Sequence, residues 1–178
     1  VLGNDTDAES NPLTAVKTTD PSNGTVVLNS NGSFTYTPNG NFNGDDTFKY
    51  KANDGTNDSN EATVTIHVTA VNDAPTLTTI GTLGTATEDT DFNITYAMMA
   101  SAANEADVDG DALSFRVEAV SSGTLTKGGV AVVPGTTLLS SGETLVWTPA
   151  ANANGTLDAF TVKAWDGSLA SATAVQVK

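Results

Sequence analysis

Residues 61–70 read Glu-Ala-Thr-Val-Thr-Ile-His-Val-Thr-Ala. Ala62, Val64, Ile66, Val68 and Ala70 alternate with Thr63, Thr65, His67 and Thr69. A period of two puts the apolar set on one face of a β-strand and the threonines on the other. This stretch is a half-buried strand, and His67 is an outward-facing member of it rather than a catalytic or metal-binding group. The residues before it repeat the pattern in shorter pieces. Thr47 to Ala52 places Phe48, Tyr50 and Ala52 on one face, and Leu13 to Lys17 reads as extended. Gly24 to Leu28 and Ser33 to Thr37 flank Asn29-Ser30-Asn31-Gly32, whose Asn-Gly pair is a strong hairpin signal.

The second half repeats the first. DTDAESNPLT at 5–14 aligns with EADVDGDALS at 105–114, FTYTPNGNFNG at 34–44 with LVWTPAANANG at 145–155, and FKYKANDG at 48–55 with FTVKAWDG at 160–167. Separated matches in one order mark a duplication. Short alternating strands broken by Asn, Gly, Asp and Pro are the pattern of a two-sheet β-sandwich of roughly 100 residues per domain. The expected fold class is therefore all-β, with two tandem Ig-like Greek-key sandwiches. The boundaries are a first repeat at 1–71, a linker at 72–75 and a second repeat at 76–178. Pro75 fixes the backbone and holds Ala74 extended, so the joint is expected to be stiff.

Tyr36 and Trp147 occupy matching positions, as do Phe48 and Phe160, and all four read as core aromatics. Trp165 replaces Asn53 beside a loop aspartate, which marks it as a partly exposed residue able to stack on a ligand. In the second copy, Lys127 to Gly142 reads as a longer hairpin, and the Ala/Met content of Tyr96 to Ala103 suits a short helix with Met98 and Met99 as core filler.

The acidic loop Asp107-Val108-Asp109-Gly110-Asp111 places three carboxylates at alternate positions. Left alone they repel one another. Oxygen-only ligation, in a chain with no cysteine and one histidine, points to Ca2+ rather than zinc or copper. An EF-hand does not fit. Glu118 falls at the twelfth position counted from Asp107, but Ala112 stands where that loop needs glycine, and Leu113, Phe115 and Val117 alternate as a strand. Across the 178 residues, 21 acidic and 7 basic side chains give a formal net charge of -14. Such a surface repels nucleic acid and anionic lipid and suits cations. No stretch is long and apolar enough to insert in a membrane. The absence of cysteine fits export in a bacterium, and the abrupt start at Val1-Leu2-Gly3 reads as a cut within something larger.

In order, these residues (DxDxD, FTYTP with a following FNG, an A-x-DG step, and a T-V-T strand ending in VNDAP) resemble bacterial cadherin-like repeats. Repeats of this kind occur in tandem in large secreted or surface adhesins of the RTX or VCBS type, which implies an extracellular, cell-surface location. The resemblance implies calcium held between successive domains. Carried over position by position, it offers Glu88 and Asp89, then Asp107, Asp109 and Asp111, and Asp166. It adds Asn72 and Asp73 from the linker and Asp45 or Asp46 from the end of the first repeat. Glu9, Ser10 and Asn11 replace Asp109, Gly110 and Asp111 in the first copy, so that loop is expected to bind weakly or not at all.

Catalysis finds little support. Cys-His chemistry has no cysteine, and a Ser-His-Asp relay would run through the outward-facing His67. The carboxylates cluster at metal-like spacing instead of facing one another across a cleft. The expected role is a calcium-rigidified extender of an adhesin, with neighbouring repeats as partners. A carbohydrate-binding module, resting on Trp165 and the loop at 127–142, is the alternative, with a glycan or cell-surface ligand as partner. Aligning Asp7 with Asp107 sets Val1 opposite Ser101, so the first copy lacks counterparts of Thr76 to Leu83 and Asp91 to Tyr96, read as the first two strands of the second. The first sandwich is thus expected to be incomplete and mobile, or completed from elsewhere.

Overall fold

The computed structural model describes residues Val1–Lys178 and divides into two units, Val1–Val71 and Asn72–Lys178. Nearly all regular structure is β, and each unit is a sandwich of two antiparallel sheets.

In the first unit, β1 (Thr14–Thr19), β4 (Gly44–Asn53) and β5 (Ala62–Val68) form one sheet in the order β1-β4-β5. The facing sheet is the hairpin of β2 (Gly24–Leu28) and β3 (Phe34–Pro38). The alternation read from the sequence is the alternation of burial. Along β4, Asp46, Phe48, Tyr50 and Ala52 are buried and their neighbours are not. His67 points outward and Val64 and Ile66 are only half-buried.

The second unit adds strands to the same plan. One sheet runs β10 (Leu138–Leu139), β7 (Ser114–Val120), β12 (Phe160–Trp165), β13 (Val175–Val177). The other runs β6 (Phe92–Thr95), β11 (Thr144–Thr148), β8 (Thr124–Lys127), β9 (Val130–Ala131). Thus β7, β12 and β13 correspond to β1, β4 and β5, while β8 and β11 correspond to β2 and β3. Only this unit has the flanking β6, β9 and β10. Its core is continuous, with Ile94, Met99, Phe115, Leu145, Phe160 and Val162 all at 1 % exposure or less.

Two expectations need correction. Lys127 to Gly142 is not a hairpin: β9 pairs with β8 in one sheet, and β10 crosses to pair with β7 in the other. Thr76 to Leu83 is not a continuous strand. Thr76 and Ile80 form isolated bridges with Ala106 and Ala103, and Leu83 then donates to the carbonyl of Lys178. The segment changes partners along its length, which leaves no ladder long enough to count as a strand. The helix α1 (Tyr96–Ala102) is present, capped by the Thr95 hydroxyl accepting from the Met98 amide at 3.2 Å, with Met99 buried and Met98 half-buried.

The duplication is visible atom by atom. The Tyr36 hydroxyl oxygen lies 3.2 Å from the Asn23 carbonyl oxygen, and Trp147 donates its indole N–H to the matching Ser122 carbonyl (2.8 Å). Each ring lies over the glycine that follows that carbonyl. A Cβ on Gly24 would sit 2.6 Å from the Tyr36 ring and from the Thr37 oxygen, and one on Gly123 would sit 2.2 Å from the Thr148 oxygen. No other residue fits there, so glycine at the start of β2 and just ahead of β8 is a packing requirement.

Candidate metal centre

The acidic loop before β7 gets its shape from its first aspartate. Asp107 Oδ1 accepts the amides of Asp109 (2.9 Å) and Asp111 (3.3 Å), curling the backbone around the carboxylate. Gly110 takes the left-handed conformation this curl needs, with φ 79°. The result gathers carboxylate oxygens of Asp107, Asp109 and Asp111 within 4.8 Å of one another.

Two other segments of the same unit are tied to these carboxylates by N–H donors. The Asp73 amide donates to Asp109 Oδ2 at 2.7 Å, and the Asn72 side-chain amide donates to Asp166 Oδ2 at 2.9 Å. Asp166 stands after β12, where its Oδ1 accepts the amides of Ser168 and Leu169, both at 2.6 Å. The Leu169 amide first, and then Asn72, hold its carboxyl below the usual range, so it stays anionic. Six of the nine expected metal residues, Asn72, Asp73, Asp107, Asp109, Asp111 and Asp166, therefore meet at one pole of the second unit.

Glu105 was not among the expected ligands, although EADVDGD displays it two residues ahead of Asp107. Its Oε2 and Asp107 Oδ2 are the two buried side-chain oxygens without a hydrogen-bond partner. Burial pushes the Glu105 carboxyl up. Buried oxygens are normally satisfied, and of the two exceptions one belongs to the loop that gathers the carboxylates and the other stands two residues ahead of it. An all-oxygen donor set with orphaned acceptors fits a hard divalent cation of the calcium type.

Three expected residues do not meet this group. Glu88 lines a groove of about 790 Å3 together with Asn154, Ala159 and Lys178. Ala159 precedes β12 and Asp166 follows it, so Glu88 and its neighbour Asp89 lie about 20 Å from the Asp166 pole, a strand length away. They belong to the other end of the sandwich. Asp45, in the first unit, pairs with His67 Nδ1 at 2.7 Å on an exposed face. Trp165 stands next to Asp166, but the Arg116 guanidinium covers one face of its ring, 4.8 Å from the centroid. A sugar could stack only on the other face.

Asp46, beside Asp45, is a structural carboxylate. Its Oδ1 accepts the amides of Ser22 (3.0 Å) and Thr47 (2.9 Å), and its Oδ2 accepts the Asn23 amide and the Tyr36 hydroxyl, both at 2.8 Å. Desolvation alone would raise its pKa, but the bonds from Tyr36, Asn23, Ser22 and Thr47 outweigh it and hold the group low. With these four bonds made, it has little left to offer a cation.

The profile of the bacterial cadherin-like domain matches residues 1–70, and that of the bacterial Ig domain matches residues 72–177. No curated protein matches the chain. Among solved structures, an endo-fucoidan hydrolase from glycoside hydrolase family 107 and a variant of it are each 20 % identical, with a TM-score of 0.32. The match covers 96 % of this chain and 24 % of the hydrolase, and at that TM-score it carries no functional argument.

Proposed function

The chain belongs to the bacterial Ig domain family, with a cadherin-like first repeat, and on that premise we propose that it is a calcium-rigidified structural module of a bacterial surface or secreted adhesin. The observation that carries the reading is the gathering of Asp107, Asp109 and Asp111 within 4.8 Å, one of them with an orphaned oxygen, in a loop bonded to Asp73, whose neighbour Asn72 is bonded to Asp166. Asn72 and Asp73 directly follow the first unit in the chain. A cation engaging the pole to which they are bonded restrains the segment that connects the repeats. The function is mechanical: the ion removes repulsion among fixed carboxylates and stiffens a tandem array, with neighbouring repeats as partners and an extracellular, calcium-rich setting. We read the module as non-catalytic, in keeping with its match to Ig-type and cadherin-like domains.

Calorimetry with calcium and with chelator tests this. A cation that binds only the folded state at 100 times its dissociation constant adds about 2.7 kcal/mol. The transition of the second unit is expected to rise with calcium, and Asp107→Asn to remove most of the rise. Superimposable melting curves in calcium and chelator would refute the metal reading.

A further inference from the structure

The first unit has an open strand edge whose counterpart in the second unit is filled, and the two edges match amide for amide. Asn29 donates to Ser33 and Asn39 to Asn23 across the β2–β3 hairpin, which fixes the alternation of its ladder. Thr35 and Thr37 therefore turn their amides toward β2, while Phe34 and Tyr36 turn theirs away, toward no strand. In the second unit Tyr96 donates to Glu143, which by the same alternation directs the amides of Leu145 and Trp147 to β6. Leu145 and Trp147 are the repeat counterparts of Phe34 and Tyr36. The two amides that β6 engages are the two left open in β3. The next residue in that series is Pro38 in one copy and Pro149 in the other, neither of which has an amide to satisfy.

Side chains tell the same story. Ile94 of β6 is 1 % exposed and stands opposite Leu145, itself at 0 %. Phe34, which has no such cover, is 39 % exposed although its ring already packs edge-on against Phe48 with centroids 5.1 Å apart. We propose that the β3 edge is a strand-acceptor site, and that its occupant is an extended segment of the β6 type, an apolar-polar-apolar strand running antiparallel to β3. Its second apolar residue lies opposite Phe34 and its first opposite Tyr36. Such augmentation combines ladder hydrogen bonds with burial of alternate side chains.

The test is a graft on the full chain. A copy of residues Asp91–Ala100 is joined ahead of Val1, which reproduces the spacing of the second repeat, and amide exchange is followed residue by residue by NMR. In the ungrafted monomer Phe34 and Tyr36 are expected to exchange at least about tenfold faster than Leu145 and Trp147. The graft is expected to bring them to comparable protection, and a graft carrying Phe92→Ser and Ile94→Ser in the added copy is expected to leave them fast. The proposal is overturned if Phe34 and Tyr36 are already protected in dilute monomer, or if the graft and its serine version act alike. It is also overturned if protection rises with chain concentration alone alongside dimer formation, since the occupant would then be a second copy.

Discussion

The loops at 5–11 and 105–111 share a backbone and differ in what they do with charge. Asp7 Oδ1 accepts the amides of Glu9 (3.0 Å) and Asn11 (2.8 Å), as Asp107 does for Asp109 and Asp111. Asp54 accepts Thr56 and Asn57 as Asp166 accepts Ser168 and Leu169, and the Asn57 amide leads in holding it below the usual range. The acid ahead of each loop differs most. Asp5 accepts the Tyr50 hydroxyl at 2.9 Å, whereas Val162 occupies the place of Tyr50 in the second repeat and Glu105 is left with an orphaned oxygen. The first repeat gives the acid ahead of its loop a hydroxyl partner. The second leaves Glu105 Oε2 and Asp107 Oδ2 buried without one. One aspartate-built turn thus serves as a self-contained bracket in one copy and a candidate cation cradle in the other, and the partner supplied by β4 or β12 separates the two.

The strand inventory provides the sharpest way to break the comparison. Removing a buried phenylalanine ring costs about 3–5 kcal/mol. Phe48→Ala and Phe160→Ala delete equivalent rings, each at 0 % exposure. The first repeat has five strands and a half-open core, so Phe48→Ala is expected to abolish its transition in calorimetry, while Phe160→Ala leaves a lowered but cooperative one. Equal losses would mean that the flanking β6, β9 and β10 add no reserve.

The polar contrast between Tyr36 and Trp147 comes next. Burial first, and then the bond to Asp46, push the Tyr36 hydroxyl up to about 12 from its ordinary value of 10.0. Raised in the folded state, it contributes stability that is fully present below pH 10 and lost as pH rises toward 12. Its folded-state Asp46 partner is lowered, so that contribution is present above the ordinary carboxylate value of 3.8 and lost as pH falls below it. Tyr36→Phe is expected to flatten the alkaline loss in the first repeat. The second repeat, with a non-titrating tryptophan at this place, is expected to change little from that variant. An alkaline loss unaltered by Tyr36→Phe would assign it to another group.

The smallest effect lies in the loop turn. Ser10 stands where the other copy has Gly110, and it holds φ 66°. A side chain in this region costs about 1 kcal/mol relative to glycine. Ser10→Gly is expected to stabilise the first repeat by up to about 1 kcal/mol in denaturant titration, and Gly110→Ser to destabilise the second by a similar amount. If Ser10→Gly is neutral, the flexibility glycine adds to the unfolded chain has cancelled the relief.

Much of this molecule was legible in local pattern. Period-two alternation located β4 and β5, and the repeat match placed β12, because each strand has one face against a core and that constraint is written residue by residue. The duplication, the aspartate turns and the carboxylates of DVDGD were legible for the same reason: the chemistry lies within a few neighbouring residues. What only tertiary structure decided involves distant partners. Glu88 and Asp166 both looked like ligands, but the length of β12 separates them, and no local pattern measures the distance between two ends of a sandwich. Asp46 resembled its exposed neighbour Asp45 until the fold brought Ser22, Asn23 and Tyr36 to it. Glu105 matched the hydrogen-bonded Asp5, yet its oxygen is left without a partner, and the repeat position 57 residues along the chain carries Val162 in place of the tyrosine that Asp5 bonds. Whether a carboxylate is a structural anchor, an ion pair or a metal ligand depends on the donors that surround it, and folding draws those donors from anywhere in the sequence.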